Sequence, residues 1–406
     1  MAGPLAGYKV LDMSRVLAGP WAGQMLADLG AEVIKIERPN QGDDTRHWGP
    51  PYLQDQDGNN TVDAAYFFCT NRGKQSVTVD ITQPEGQEII RQLALQCDVL
   101  IENYKVGGLK KYGLDYGSLT EINPGLIYCS ITGFGQTGPY AERPGYDFLI
   151  QGMGGLMSIT GEPDSENGSP VKVGVAVTDL FTGLYAANAI QGALLERHQS
   201  GLGQYIDLAL LDVQAAVLAN QASNYLTGGT VPGRLGNAHP NIVPYQAFAT
   251  SDGHIILAVG NDSQFRRLCS VLGMPSWADH SDYATNSARV SHRESLCAQI
   301  GLRLAQRSSE QWLHALEQQQ VPCGPINSID QVFQNPQILA RNMLLTMQDK
   351  RAGDIQLVAN PIKYSRSAME YNVPPPTLGD STDCVLQQYL EYTELALKTL
   401  RTKSVI

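Results

Sequence analysis

The sequence lacks several features that would assign it to a membrane or a secreted class. Only 17% of its 406 residues are charged and 7% are aromatic, and no apolar run approaches the about 18 residues of a membrane-spanning helix. No basic segment followed by an apolar stretch opens the chain, so we expect no secretion signal. The seven cysteines form no CxxC pair, which predicts neither a zinc site nor a disulfide framework. We therefore expect a cytoplasmic protein that binds no metal and contacts no membrane.

Basic residues are also in deficit. Lys and Arg number 29 against 40 Asp and Glu, for a net charge of −11, which disfavours nucleic acid as a partner but leaves room for a local phosphate-binding cluster. Glycine is abundant instead, with 40 residues, and 43% of the chain is hydrophobic. This composition is typical of a globular α/β protein with many tight strand–helix turns.

Strand and helix patterns alternate over the first 225 residues. Short apolar segments at 10–13, 32–36, 76–79, 99–101 and 126–131 are separated by helical patterns. This alternation predicts βαβ units and a mainly parallel, Rossmann-like sheet. Ligands of such sheets bind beyond the carboxyl ends of the strands, so the loops that follow these segments are the candidate site.

The pattern changes near Asn224. Glycine and proline punctuate the next loop, and residues 245–249 and 254–259 read as a hairpin that is followed by helical segments. We predict that residues 1–225 form the first part of a large α/β domain and that 226–330 form a smaller inserted α+β domain. Residues 331–406 are then expected to return to the large domain.

Asp179 is the first candidate for chemistry. It follows a predicted strand at 173–177 and precedes a predicted helix at 180–196. It is either a helix cap, which stabilises a helix by about 1 kcal/mol, or a carboxylate nucleophile that the helix N-terminus keeps ionised. The residues alone leave both interpretations open.

Cations and glycines after the strand ends are further candidates. Arg38, Arg72, Lys74 and Lys111 are either solvated charges or ligands of phosphate groups. No GxGxxG or P-loop is present, so a phosphorylated ligand would not be bound in the dinucleotide or nucleoside-triphosphate manner. The glycine-rich segment 133–139 is either a sharp turn or a source of N–H donors, and His239 is either structural or a base.

Ordered sequence blocks then narrow the function. Residues 4–12, 18–20, 29–38, 71–74, 102–104, 133–139, 144–147 and 178–180 resemble the family III CoA-transferases over nearly the whole chain. The resemblance implies an interlocked homodimer without a tightly bound cofactor, whose substrates are an acyl-CoA and a small carboxylic acid. It implies that Asp179 attacks the thioester and becomes an aspartyl-CoA thioester. With an ordinary pKa of about 3.9 this carboxylate would need no base.

The resemblance also implies roles for other residues. Gln136 is expected to support the active site. The positions that match CoA-binding residues, together with the neighbouring Arg72, are Val16, Ala18, Arg38, Asn71, Arg72, Lys74, Asn103, Tyr104 and Lys111.

Two positions narrow the reaction. Formyl-CoA transferases have Gln where this chain has Leu17, so an oxalate-specific formyl transferase is not expected. Residues 42–46 and 48–51 resemble the succinyl-CoA:glutarate branch, and a second carboxylate on such an acid would need a cation, for which Arg72 and Arg46 are candidates. We predict transfer of CoA from succinyl-CoA, or a similar donor, to a dicarboxylic acid.

Two alternatives belong to other classes. One is an α-methylacyl-CoA racemase, but these enzymes use a histidine where this chain has Tyr146. A tyrosine with a pKa near 10 is a poor base at neutral pH. The other alternative is a CoA-binding protein without catalytic activity.

Overall fold

The alternating segments become strands and helices over residues 2–406, the part of the chain that the structure, a computed structural model, describes. The strands are β1 (Lys9–Asp12), β2 (Glu32–Glu37), β3 (Tyr52–Gln54), β4 (Asn60–Ala64), β5 (Lys74–Thr78), β6 (Val99–Glu102), β7 (Ile127–Thr132), β8 (Tyr205–Ala209), β9 (Tyr245–Ala249), β10 (His254–Ala258), β11 (Cys323–Pro325), β12 (Leu344–Asp349) and β13 (Gly353–Val358).

The helices follow the same order. They are α1 (Ala18–Asp28), α2 (Ala65–Phe68), α3 (Pro84–Gln96), α4 (Tyr116–Ile122), α5 (Asp147–Met153), α6 (Val177–Ser200), α7 (Leu210–Val217), α8 (Ala219–Gly228), α9 (Asp262–Val271), α10 (Asn286–Ser291), α11 (Arg293–Leu304), α12 (Ser309–Gln318), α13 (Ile329–Gln334), α14 (Pro336–Ala340), α15 (Thr382–Leu390) and α16 (Glu394–Thr402). Within residues 2–406, no helix is both long and apolar enough to cross a bilayer.

The chain divides into two compact units. The first comprises the residues up to Leu156, Val173–Ala222 and Pro336–Ile406, and the second comprises Met157–Lys172 and Ser223–Asn335. The second unit thus takes a segment before α6 that the sequence-based division left in the large domain.

A six-stranded parallel sheet forms the centre of the first unit. Its order is β5-β2-β1-β6-β7-β8, and every neighbouring pair is parallel. The chain builds outward from β1 in one direction and then, from β6, in the other. This is the strand order of Rossmann sheets, and it leaves a crevice between β1 and β6 beyond their carboxyl ends. The predicted parallel α/β core is confirmed.

The two faces of this sheet are apolar because each strand alternates its side chains. On one face Leu11, Ile34 and Leu100 pack with α3 and with the C-terminal helices α15 and α16. On the other face Val10 and Val33 pack with α1 and α6. Helices on both faces exclude water from the sheet and leave the loops beyond the strand ends as the accessible part.

The second unit has its own core. The antiparallel strands β11, β10 and β9 form a sheet, and apolar residues of this sheet pack against α9, α11 and α12. The predicted hairpin of β9 and β10 is present. Ser308 and Gln311 form a capping box at the start of α12, as the sequence suggests.

The sequence reasoning was wrong about two segments. Residues 173–177 are not a strand: 173–176 form an irregular segment in which Val175 is 56% exposed, and Val177 is the first residue of α6. A run of β-branched residues imitates a strand, but no neighbouring strand pairs with it. The strand β8 was missed because Asp207 interrupts its apolar pattern. It nevertheless pairs with β7 through its backbone.

Candidate active site

A cleft of about 990 Å³ lies at the carboxyl ends of the sheet strands. Residues that follow β1, β2, β6 and β7 line it, together with Asp179 from the first turn of α6. The crevice expected from the strand order and the candidate nucleophile therefore share one site.

Asp179 is the third residue of α6, not its cap. The N-terminal part of this helix packs closely on α1, since a Cβ at Gly183 would lie 2.7 Å from the Ala18 carbonyl oxygen. This close approach needs glycine at position 183. It brings Asp179, one turn earlier, next to the start of α1 and the cleft.

The carboxylate of Asp147 acts as the cap of α6. It accepts hydrogen bonds from the backbone N–H groups of Thr178 (2.8 Å) and Asp179 (3.2 Å), and Gln151 Nε2 donates to it at 2.6 Å. These bonds occupy the N–H donors that would otherwise stabilise a charge on Asp179.

Asp179 is consequently less acidic than the sequence suggests. Burial raises its pKa to about 7, and the neighbouring charge of Asp147 acts in the same direction. The prediction of an ordinary, fully ionised aspartate was wrong for this reason. Asp179 also lies near the Tyr66 phenol, because its charge contributes, after burial and Cys69, to a Tyr66 pKa of about 12.

The loop after β1 is held in an unusual conformation. Val16 has φ 72°, which a β-branched residue rarely adopts. Its N–H donates to both carboxylate oxygens of Asp43 at 3.3 Å. Asn103 accepts from the Arg15 N–H at 2.9 Å and donates to the Arg15 carbonyl at 2.7 Å. These two side chains offset the strain and fix the cleft wall.

Most of the predicted CoA-binding residues do line the cleft. They are Val16, Ala18, Arg38, Asn103, Tyr104 and Lys111. Arg38 and Lys111 are exposed, so their charges are available to a phosphorylated ligand.

Three other predicted residues are buried and do not line the cleft. Lys74 is fully buried, 2.8 Å from Asp12, and also donates to Asn71 Oδ1 at 3.0 Å. Arg72 forms a bidentate pair with Asp28, at 2.6 and 2.8 Å. Burial lowers the pKa of Lys74 to about 8. The geometry does not favour direct CoA contact by Asn71, Arg72 or Lys74, because their polar groups are already paired.

Arg46 is occupied in the same way. It contacts Glu37 at 2.7 Å and Asp63 at 2.7 Å, and only 1% of its side chain is exposed. Neither Arg46 nor Arg72 is therefore placed to bind a substrate carboxylate.

Gln136 lies in a separate, smaller cavity of about 270 Å³. Its amide donates to Ser130 Oγ at 3.0 Å and its backbone N–H donates to Asp207 at 3.1 Å. Glu102 lines this cavity too, and burial raises its pKa to about 7. The structure does not bring Gln136 to the cleft that holds Asp179.

Histidine plays no part in the Asp179 cleft. Over residues 2–406 no histidine lines it, whereas Tyr146 does and is 67% exposed. His239 belongs to the second unit, where its Nδ1 accepts from the Asn241 N–H at 3.1 Å. The His/Asp pair of the racemase alternative is absent from this cleft.

Sequence reasoning missed Asp147 and Asp43 as site residues. Asp147 stood within a recognised block, but its partner groups lie 31 and 32 residues away. Asp43 likewise reaches Val16 across 27 positions. In the sequence, the only feature that marked either aspartate was its position close to a glycine in a loop.

Known proteins resemble this chain over nearly its whole length. Residues 5–382 match the model of CoA-transferase family III. The chain is 54% identical to a succinate–glutarate CoA-transferase of Agrobacterium fabrum, over 95% of each chain. It is 45% identical to the human succinyl-CoA:glutarate CoA-transferase, over 99% of this chain and 90% of that protein. A CAIB/BAIF family protein of Brucella suis shares its fold with TM-score 0.84 and 50% identity, covering 96% of this chain and all of that one.

Proposed function

Because this chain belongs to CoA-transferase family III and is a CoA-transferase, we propose that it moves CoA from succinyl-CoA to glutarate or a similar dicarboxylic acid. The observation that carries the proposal is Asp179, a half-buried carboxylate that lines the cleft together with the loops after β1 and β6. The names of its relatives support the choice of acids.

Asp179 is the proposed nucleophile. Its carboxylate attacks the thioester carbonyl, the new C–O bond forms and the C–S bond breaks, which gives a mixed anhydride and CoA thiolate. The thiolate then attacks the aspartyl carbonyl and releases succinate, leaving an aspartyl-CoA thioester. Glutarate attacks this thioester and displaces the thiolate again. Attack of the thiolate on the glutaryl carbonyl finally forms glutaryl-CoA and restores the Asp179 carboxylate.

The environment of Asp179 suits this chemistry. A pKa of about 7 makes the ionised carboxylate more basic, and hence more nucleophilic, than a solvated one. The same property limits the ionised fraction to about half at pH 7. Charged Asp147 nearby opposes a second negative charge, and consumption of that charge on acylation relieves the repulsion.

The remaining sites follow from the lining of the cleft. We assign Arg38 and Lys111 to the phosphate groups of CoA, and Val16, Ala18, Asn103 and Tyr104 to its remaining contacts. Arg72 and Lys74 form buried ion pairs outside the cleft, and Asn71 accepts a hydrogen bond from Lys74. Gln136 stays a prediction from the resemblance.

A homodimer is part of the proposal. Large apolar side chains on the neighbouring helices α5 and α6 stay exposed in the single chain, among them Phe148 (58%), Leu149 (43%), Leu184 (42%) and Leu195 (69%). Such a surface fits a second copy, and the resemblance suggests that the copies interlock. All seven cysteines are free, which supports a reducing, cytoplasmic location.

Intact-protein mass spectrometry tests the nucleophile. Incubation with succinyl-CoA should add CoA covalently, and peptide mapping should place the adduct at Asp179. Asp179→Asn should show neither adduct nor turnover. Asp212→Asn is the matched control, because Asp212 is also the third residue of a helix but is exposed and outside the cleft. An adduct on another residue, or turnover by Asp179→Asn, would refute the assignment.

A further inference from the structure

Arg143 is one of the cations of the cleft whose charge is not already paired. It lines the cleft, it is exposed, and among the described residues its guanidinium forms no ion pair. Its guanidinium carbon lies 4.6 Å from the ring centroid of Tyr140 and 5.4 Å from that of Phe134. Stacking on two rings orients a guanidinium while it leaves the N–H fork free.

The other cations near the nucleophile are already paired. Lys35 is fully buried, 2.9 Å from Asp43, and donates to the Ser14 carbonyl at 3.0 Å. Arg15 contacts Asp44 at 3.1 Å. Lys35 cannot bind a substrate carboxylate without losing an existing partner, and Asp44 already balances the charge of Arg15.

The remaining free cations lie after other strands. Arg38 follows β2, and its charge contributes to lowering the pKa of Asp80. Lys105 and Lys111 follow β6, and Lys111 lies 4.6 Å from the Tyr112 ring centroid. Three positive charges on these two loops suffice for the phosphate groups of CoA.

Arg143 instead follows β7, in the segment that leads to the residue capping α6. The segment that carries Arg143 packs closely against Gly133, which follows β7: a Cβ at Gly145 would lie 2.5 Å from the Gly133 Cα. Four residues after Arg143, the Asp147 carboxylate binds the Asp179 N–H. These contacts and the stacking on Phe134 place Arg143 near the end of β7, four residues before the carboxylate that caps α6.

We propose that Arg143 binds the distal carboxylate of the acyl group and thereby selects dicarboxylic acids. This inference rests on the proposed function, in which one carboxylate of the acid reacts with Asp179. A bidentate pair with the other carboxylate would turn the acid towards the nucleophile. A monocarboxylic acid of equal length would leave the guanidinium without a partner.

Acceptor selectivity tests this proposal. The kcat/KM for glutarate and for valerate, an unbranched five-carbon monoacid, is measured with succinyl-CoA as donor, and the Kd for CoA is measured by calorimetry. Arg143→Gln should lower kcat/KM for glutarate by about 10- to 100-fold, as expected for loss of a charge-assisted pair, with the Kd for CoA within a factor of two. Arg143→Lys should recover part of the loss, because it restores the charge but not the fork.

Lys111→Gln is the matched control in the same cleft. It should raise the Kd for CoA and leave the ratio of glutarate to valerate unchanged. If Arg143→Gln raises the Kd for CoA instead, or keeps the wild-type kcat/KM for glutarate, the proposal is overturned. A wild-type protein that transfers CoA from succinyl-CoA neither to glutarate nor to a similar dicarboxylic acid would refute the proposed function itself. A failure of the Arg143 proposal can thus be distinguished from a failure of the proposed function.

Discussion

Replacement of Asp179 by Asn should abolish transfer and yet stabilise the fold. Burial and the charge of Asp147 raise the pKa of Asp179 to about 7 from an ordinary 3.8. The folded protein therefore keeps a proton that the unfolded chain loses near pH 3.8. Unfolding releases this proton between pH 3.8 and 7, so the wild-type free energy of unfolding falls as pH rises through that window. Above pH 7 this decrease in the free energy of unfolding is complete and does not change further with pH.

The magnitude follows from the same pKa difference. At about 1.4 kcal/mol per pH unit, the difference corresponds to at most about 4 kcal/mol. Asp179 is partly open to solvent, and the Asn variant loses a favourable helix-dipole interaction of about 0.3–1 kcal/mol. We therefore expect Asp179→Asn to be more stable than wild type by about 2 kcal/mol at pH 8 and to have a much smaller advantage at pH 5.

Urea unfolding followed by tryptophan fluorescence measures the difference in free energy of unfolding between Asp179→Asn and wild type at pH 5, 6.5 and 8, at one protein concentration. Asp147→Asn is the control with the opposite sign, because its carboxylate accepts from Thr178, Asp179 and Gln151, and its loss leaves these donors poorly satisfied. An Asp179→Asn variant whose advantage is the same at pH 5 and pH 8, or which is less stable at pH 8, would refute the reasoning.

Three further predictions concern the cleft. The rate of adduct formation on Asp179, measured by quenched-flow mass spectrometry, should fall about tenfold per pH unit below pH 7, because only the ionised carboxylate attacks. A rate that does not change between pH 5 and pH 7 would contradict this prediction. Lys111→Ala should raise the KM for succinyl-CoA without changing the urea midpoint. Lys74→Ala should instead lower the free energy of unfolding by about 3–5 kcal/mol, because Asp12 loses its buried partner. If Lys111→Ala lowers the stability and Lys74→Ala only raises the KM, the roles assigned to the two lysines are wrong. Val16→Gly should raise the free energy of unfolding by up to about 1 kcal/mol, because glycine adopts φ 72° without strain, and a lower urea midpoint would argue against strain at this residue.

Alternation along the strands made the sheet predictable. In β1, Val10 and Leu11 face opposite sides of the sheet, and each belongs to a different apolar cluster. A segment that is apolar on both sides is buried on both sides, which is typical of parallel sheets covered by helices. The cleft at the strand ends follows from that topology. Edge elements such as β8 escape this reasoning because backbone pairing, rather than an apolar pattern, forms them.

The sequence predicted which residue types belong to the site, but it did not predict the surroundings of each side chain. Lys74, Arg72 and Lys111 are equivalent in the sequence, since each is a cation near a strand or helix boundary. In the fold, Asp12 neutralises Lys74 and Asp28 neutralises Arg72, both in buried pairs, and of the three only Lys111 lines the cleft and remains available to a ligand. Pairing of this kind joins residues more than 40 positions apart, which no local pattern reports.

The sequence by itself determined the parallel α/β core, the family and the candidate nucleophile, because these depend on periodicity and on ordered motifs along the chain. The tertiary structure alone decided the acidity of Asp179, the roles of the cations and the conformation of Val16. Acidity depends on burial and on the charge of Asp147, and the strained conformation of Val16 depends on the hydrogen bonds that the Asp43 carboxylate accepts from its N–H. Both the acidity and the strain depend on short distances between groups that are far apart in the sequence and that only folding brings together.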